Sequence, residues 1–266
     1  PLVIERGDPV EERSRRVQVF WQVGALDPDS NVQFGEGGAG AFSDGKLNTG
    51  TKDPRARKVL EELVQAGAPA DILWQAKPHV GTDRLPDAVR QIRETIRHLG
   101  GEVWFRSTCV GLQYKNGRIT GVRVRRANGS CDIVETGHVI LAPGHSARDV
   151  FTMLEKEGVP MQPKAFSIGA RIEHRQAWLD CTQYGSAAGH PALGAADYHL
   201  AVHLPNGRGV YSFCMCPGGS VVAAASEENG VVTNGMSEYA RDGENCNAAL
   251  LVGVEPADFG VEGPLG

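Results

Sequence analysis

At 266 residues the chain is long enough for one large domain or two modest ones, and 41% apolar with 22% charged residues is the balance of an ordinary globular protein. A formal charge of −5 argues against nucleic acid as a partner, since that role calls for a net basic face. The sequence has no apolar run near the roughly 18 residues that cross a bilayer as a helix, its first ten residues have neither a basic start nor an apolar core, and its six cysteines are scattered, so the expectation is a cytoplasmic protein with reduced thiols and no membrane.

Pro1–Ile4 reads as a buried parallel strand that ends in Glu5-Arg6-Gly7. It opens at once into an apolar run, so the chain is expected to be an internal piece of a longer protein. Residues 31–48, NVQFGEGGAGAFSDGKLN, have neither a helical nor a strand period and read as a loop. Asp53 as N-cap with Pro54 after it starts a helix that Gly67 stops. A second helix runs from Pro86 to Leu99, with Val89, Ile92, Ile96 and Leu99 as its apolar stripe.

Three strand-like runs come next: Glu102–Lys115, Arg118–Ala127 and Ser130–Thr136. Asn116-Gly117 and Asn128-Gly129 separate them, the preferred letters of a hairpin turn, and together they predict a three-stranded meander. His138–Leu141 reads as a buried strand lying in one parallel sheet with Pro1–Ile4. After Ala142-Pro143-Gly144, Ser146 is expected to open a helix with Asp149 as its capping-box partner and Ala147, Val150, Phe151 and Leu154 on its buried face. Beyond Gly158 short strands dominate: Ala165–Glu173, Tyr198–Leu204, Val210–Met215, Val221–Ala225 and Ala248–Val254. Residues 1–158 are therefore expected to be a dinucleotide-binding domain, and residues 159–266 a second, mainly antiparallel α+β domain that caps it and is incomplete.

Several stretches have chemical potential. An acidic residue at the end of the second strand of a dinucleotide-binding unit accepts hydrogen bonds from ribose hydroxyls, and Glu5 has that setting; an ordinary strand end has it too. Gly144-His145-Ser146 sits between a strand and a helix, where bare backbone and helix-start amides suit an anionic ligand; the alternative is a plain capped turn. In FGEGGAGAFSDGKL, Gly37 and Gly38 let a flat ring lie against backbone, while Ser43, Asp44 and Lys46 offer polar contacts to its edge. The sequence lacks the strand-to-helix setting of a phosphate loop there, and a surface loop is the alternative. Phe34 and Phe42 are expected to anchor this segment. Cys214 and Cys216 alternate along a strand, so they are expected to share one face, as packing residues or as a nucleophile or proton donor. His199 and His203 lack partners at metal-ligand spacing, and no metal is expected.

Six stretches together resemble a family of FAD-dependent dehydrogenases related in fold to glutathione-reductase-type flavoproteins: VIERG (Val3–Gly7), SNVQFGEGGAGAFSDGKLNT (Ser30–Thr49), LAPGHSARD (Leu141–Asp149), IGARIEH (Ile168–His174), YSFCMCPGG (Tyr211–Gly219) and VVTNGMS (Val231–Ser237). The resemblance implies an α/β fold: an FAD/NAD(P)-binding, Rossmann-like parallel sheet carrying the meander. It implies FAD as cofactor, with Glu5 at the adenosine ribose, Arg6 among the cofactor-binding residues, the Val110 backbone facing the adenine, Gly144–Ser146 close to the FAD and the Gly37–Lys46 loop near the flavin. The Gly-rich pyrophosphate loop and the C-terminal Gly-Asp segment of such flavoproteins are missing from this sequence. The isolated chain is accordingly expected to purify with little flavin. The expected function is an FAD-dependent oxidoreductase acting on a small-molecule substrate. A non-catalytic flavin- or nucleotide-binding protein and an inactive fragment are the alternatives.

Overall fold

The computed structural model of the chain describes residues 1–49, 51–260, 263 and 265. In chain order it contains β1 (Leu2–Ile4), α1 (Val10–Val23), α2 (Arg55–Gln65), α3 (Leu85–His98), β2 (Glu102–Trp104), β3 (Thr108–Lys115), β4 (Arg118–Arg125), β5 (Cys131–Glu135), α4 (Arg148–Lys156), β6 (Phe166–Arg175), α5 (Gln176–Tyr184), β7 (Ala201–His203), β8 (Gly209–Cys216), β9 (Gly219–Ala223), β10 (Thr233–Ser237) and β11 (Asn245–Val254). The class is mixed α/β.

β1 pairs in parallel with β2, from Leu2 opposite Glu102 to Ile4 opposite Trp104. Among the described residues this pair is the whole of the parallel sheet, which corrects the wider Rossmann-like sheet expected. Residues 138–141 join no ladder; Ile140 is 94% and Leu141 42% exposed, so this run is not the buried strand read from its composition. A strand needs a neighbour for its backbone groups, and among the described residues this run has no ladder partner. The two segments still share a core: Ile4 and Val139 both pack on a cluster built from Leu112, Val122 and Val124 of the meander and Ala147, Val150 and Leu154 of α4 and its entry. The meander is antiparallel in the order β3-β4-β5.

β6, β11, β8 and β7 form a four-stranded antiparallel sheet in that order, and β9 pairs with β10. These last two strands press onto the first half of the chain. Ala224 packs with Val17, Val32, Ala41 and Phe42, and Trp21 Nε1 donates to the Ala223 carbonyl at 2.9 Å.

Several local expectations shift. The inner face of α3 is Leu85, Ala88 and Arg93, while Ile92 and Leu99 of the expected stripe lie exposed. α4 starts at Arg148 with Ala147 as N-cap; the Ser146 hydroxyl bonds His145 Nδ1 at 2.7 Å rather than closing a capping box. The run from Tyr198 shortens to Ala201–His203, leaving His199 outside the strand. The helices α1 and α5 and the strand β10 are additions that the sequence pattern does not announce.

Candidate functional site

The Gly-rich loop is ordered by one side chain that no motif marks. Arg13 of α1 is fully buried, and its guanidinium donates from Nε to the Asn31 carbonyl (2.8 Å), from Nη2 to Val32 (3.0 Å) and from Nη1 to Glu36 (2.6 Å). It also lies 4.8 Å over the Phe42 ring. Burial lowers its pKa to about 10, and the nearby Glu5 and Glu36 carboxylates offset part of that. A rigid fork with several donors suits a loop whose carbonyls point inward. Arg93 of α3 adds a second clamp, reaching Glu36 at 2.7 Å and Glu11 at 2.6 Å.

Gly7 and Gly35 let this loop reach the end of β1. A Cβ built on Gly7 would lie 2.5 Å from Gly35 Cα, and one on Gly35 would lie 2.5 Å from Arg13 Cδ. Both positions need a hydrogen in place of a side chain. The letters from Gly35 to Gly40 also match the G-x-G-x-x-G spacing. No strand precedes them, and they run into the five-residue 3-10 turn Gly38–Phe42 instead of an α-helix, so the match lacks the setting that gives it meaning.

The eleven candidate residues divide into two groups. In the first, Glu5 stands at the end of β1 and accepts the Gly7 amide on Oε1 at 2.7 Å. No hydrogen bond among the described residues engages its other oxygen. Arg6 reaches across to Asp149 at 2.5 Å. Asp149 and Val110 line one cleft of about 650 Å³ together with Arg123 and Met153. Gly144 has φ 83°, and a Cβ there would meet only the Phe34 ring edge, at 4.0 Å. His145 is exposed and Ser146 half-buried. Phe34 packs on the same cluster as Ile4, so the loop's first half does lie by Gly144.

The loop's second half turns the other way, toward β8 and β11. Gly37 packs on α3, where a Cβ would sit 3.1 Å from Val89, whereas Gly38 faces open space. The Ser43 hydroxyl serves its own turn, donating to the Gly40 carbonyl and accepting the Gly45 amide. Asp44 is 1% exposed and is paired with Arg241 at 2.6 Å and Lys46 at 2.5 Å. Lys46 Nζ also lies 3.9 Å from Cys216 Sγ.

β8 is irregular at this point. Register shifts between Asn247 and Ala249 of β11, which face Cys216 and Phe213, so Cys214 and Met215 together oppose Ala248, as in a β-bulge. Cys214 has φ 47°, a left-handed conformation that costs a non-glycine residue about 1–2 kcal/mol. Alternation along the strand therefore fails here. Met215 joins the core with Leu179 and Cys246, and the Cys216 thiol approaches the Cys214 carbonyl at 3.2 Å. Arg171 of β6 donates to that carbonyl at 3.2 Å and to Asn247 Oδ1 at 2.5 Å. The Cys214 thiol is held low, to about 5, by the Cys216 thiol and then by Lys46 and Arg171, against burial. Cys216 moves up, through Cys214 and through its own burial.

Glu5 moves the opposite way from an exposed carboxylate. Burial raises it above 4.5, opposed by the Gly7 amide and by the Arg13 and Arg6 charges. Its charge therefore costs stability above the folded-state value, and the cost fades as pH falls through that value toward 4.5. Glu5→Gln keeps an acceptor for Gly7 and removes the charge. Its melting temperature is expected to exceed wild type at pH 7, with the gain vanishing near pH 4; thermal melts across that range check the sign.

Residues 165–266 match the family model described as FAD-dependent protein, C-terminal domain-like. Over all 266 residues the chain is 53% identical to a Clostridium beijerinckii protein described as uncharacterized, and it spans about half of that protein, 49% of its length. Among solved structures, the flavin-dependent monooxygenase PieE in complex with FAD and substrate is similar at a TM-score of 0.35 and 14% identity, over 96% of this chain and 42% of that one. Through residues 165–266 the chain is related to FAD-dependent proteins.

Proposed function

We propose that the chain is part of an FAD-dependent oxidoreductase acting on a small-molecule substrate. The observation that supports it is the half-buried carboxylate of Glu5 at the end of a parallel strand, with one oxygen held by the Gly7 amide, in a chain whose C-terminal segment matches an FAD-dependent family. An acceptor so placed, with one oxygen taken by backbone and one left over, suits the paired hydroxyls of a ribose.

The residues present fit the adenosine end of FAD. Glu5 would accept from the ribose, and Val110 would flank the base beside Arg6 and Asp149. Gly144 offers backbone without a side chain, and the exposed His145 and Ser146 would stand at its edge. When bound, FAD supplies the electron and hydride chemistry that side chains lack. Arg13 holds the loop through the carbonyls of Asn31, Val32 and Glu36, and Gly38, with open space around it, would offer bare backbone to the cofactor. Asp44 and Lys46 act at the other end, between the loop and β8.

Loss of the Glu5 side chain tests this reading. Charge-assisted hydrogen bonds contribute about 1.5–3 kcal/mol, so Glu5→Ala is expected to weaken FAD binding roughly 10- to 150-fold. Titration of FAD into the protein, followed by flavin fluorescence, measures it. An unchanged affinity removes Glu5 from the site. Substrate-dependent bleaching of the bound flavin would then separate an oxidoreductase from a protein that only holds the cofactor.

A further inference from the structure

We propose that one face of the four-stranded sheet binds the substrate, a flat aromatic carboxylate, with Arg171 taking the carboxylate and Tyr211 and Phe213 the ring. The inference rests on the oxidoreductase reading above and names the class of its substrate. Strand register sets the face. Arg171 of β6, Ala249 of β11 and Phe213 of β8 stand opposite one another in one row. In the next row Leu251 stands opposite Tyr211, two residues from Phe213 and on the same face, and the two rings meet edge to face at 6.5 Å. Two strand spacings, about 10 Å, separate the backbones of Arg171 and Phe213, and the side chain between them is only the methyl of Ala249. A single ring bearing a carboxylate fits across that gap. The opposite face is packed at its far end, where Cys246 and Ala248 lie against Leu179 of α5.

The guanidinium is presented rather than used up. Nη1 donates to the Cys214 carbonyl at 3.2 Å and to Asn247 Oδ1 at 2.5 Å, which fixes the plane of the group. Gly235 of β10 closes over this side, where a Cβ would lie 2.2 Å from Nη1. Among the described residues no hydrogen bond engages Nε or Nη2, and no carboxylate pairs with Arg171, Glu173 two places along β6 included. Those two nitrogens form an edge that takes a carboxylate by two parallel bonds. A half-buried guanidinium with only neutral partners lacks the anion that such a group ordinarily meets.

Lys46 adds charge from the loop. Its Nζ lies 3.9 Å from Cys216 Sγ, which in turn lies 3.2 Å from the Cys214 carbonyl that Arg171 holds. Asp44 is shared between Lys46 and Arg241, so these three groups carry one positive charge in excess. The other end of the row is apolar. Phe213 is 57% exposed, and Tyr211 is pinned by its hydroxyl, which donates to Ser167 Oγ at 2.7 Å. An exposed phenyl ring across from an unpaired guanidinium suits a ligand that is aromatic at one end and anionic at the other.

The test uses benzoate and needs no flavin. Saturation-transfer NMR gives its Kd for the chain, with benzyl alcohol as the uncharged counterpart. Benzoate is expected to bind about 10-fold more tightly or better, the share of a charge-assisted contact. Arg171→Gln should erase that preference. Phe213→Ala, a change at an exposed position, should weaken benzoate about 3- to 10-fold. Acetate and inorganic phosphate should displace benzoate poorly. No binding of benzoate, equal binding of benzyl alcohol, unchanged binding in Phe213→Ala, or displacement by acetate or phosphate as effective as by benzoate itself would each overturn the proposal. So would a dimer, seen by size-exclusion chromatography, that Phe213→Ala dissolves, since a second copy would then occupy this face. The comparison of the two ligands needs no variant, so it stands even if Arg171→Gln unfolds the chain. FAD affinity is read separately: failure here leaves the Glu5 assignment untouched, and failure there leaves this surface untouched.

Discussion

Arg13→Met is expected to lose about 3–5 kcal/mol of folding stability, the cost of breaking a buried charged cluster from one side. The side chain is fully buried, and its guanidinium satisfies the carbonyls of Asn31, Val32 and Glu36. Methionine fills most of the volume and supplies no donor, so those carbonyls lose their partners, at about 1–3 kcal/mol for each one that water fails to reach. Against a domain stability of about 5–15 kcal/mol this is a large share. Arg13→Lys is expected to recover only part of it, because one ammonium does not span the separate directions of the fork. Urea unfolding gives the stability. Limited proteolysis gives the locality, with cleavage between residues 31 and 42 expected to rise first, since fixing so many backbone dihedrals without Arg13 has too little to offset it. A variant as stable and as resistant as wild type would show that the loop is held by Phe34 and Phe42 alone.

The same residue shows where reading the sequence stops. The meander is legible because its signals are local. Asn116 and Gly117 both take positive φ, 52° and 74°, as a two-residue hairpin requires. At Asn128-Gly129 only the glycine does, and the Arg126 amide bonds across to the Ser130 carbonyl, giving a three-residue loop with the same letters. α1 is illegible by the same rules, because its buried face is Val10, Arg13 and Val17. A pattern search treats an arginine as surface. α3 is legible as a helix but not in its face: Arg93 lies inside and Ile92 outside. Buried arginines are read from the carbonyls and carboxylates they meet, and those come from distant parts of the chain. His138–Leu141 fails for the converse reason. Its apolar letters describe a strand, but pairing depends on a neighbour rather than on the letters.

Within the candidate site, residue identity is more legible than direction. Glu5 is placed at a strand end as its context suggests, and Phe34 and Phe42 do anchor the loop. The letters of Ser43, Asp44 and Lys46 suggest that all three face one ligand space. Instead Ser43 closes a turn, Asp44 is buried, and Lys46 points to Cys216. The partners that decide this are distant in the chain: Arg241 lies 197 residues beyond Asp44, and Cys216 of the bulged β8 lies 170 beyond Lys46. Periodicity does not reach so far. A one-residue bulge is also invisible to an alternation rule, which is why strict alternation fails between Phe213 and Cys216.

Asp44→Ala is expected to cost about 3 kcal/mol, nearly as much as the loss of Arg13, and to do so by uncoupling the loop from the second half of the chain. Asp44 is 1% exposed and carries two cations, Arg241 at 2.6 Å and Lys46 at 2.5 Å. Removing it leaves Arg241, itself largely buried, without its carboxylate, and an unpaired guanidinium is costlier than an unmade bond between neutral groups. Lys46 is about one-third exposed and finds water, so its share is small. Asp44→Asn separates charge from shape. The amide keeps an acceptor for Arg241 and loses the ionic part, so its cost should fall well below that of alanine, at about 1–2 kcal/mol. Arg241→Met in the Asp44→Ala background completes a double-mutant cycle. If the pair acts as a unit, the second change should cost little once the first is made, giving a coupling of about 1.5 kcal/mol or more. Strict additivity in urea unfolding would mean that the two side chains are neighbours without being partners. The loop would then be tied to the second half by the Asn234 side chain, which donates to the Phe42 carbonyl at 3.0 Å, and by the Ala224 contacts instead.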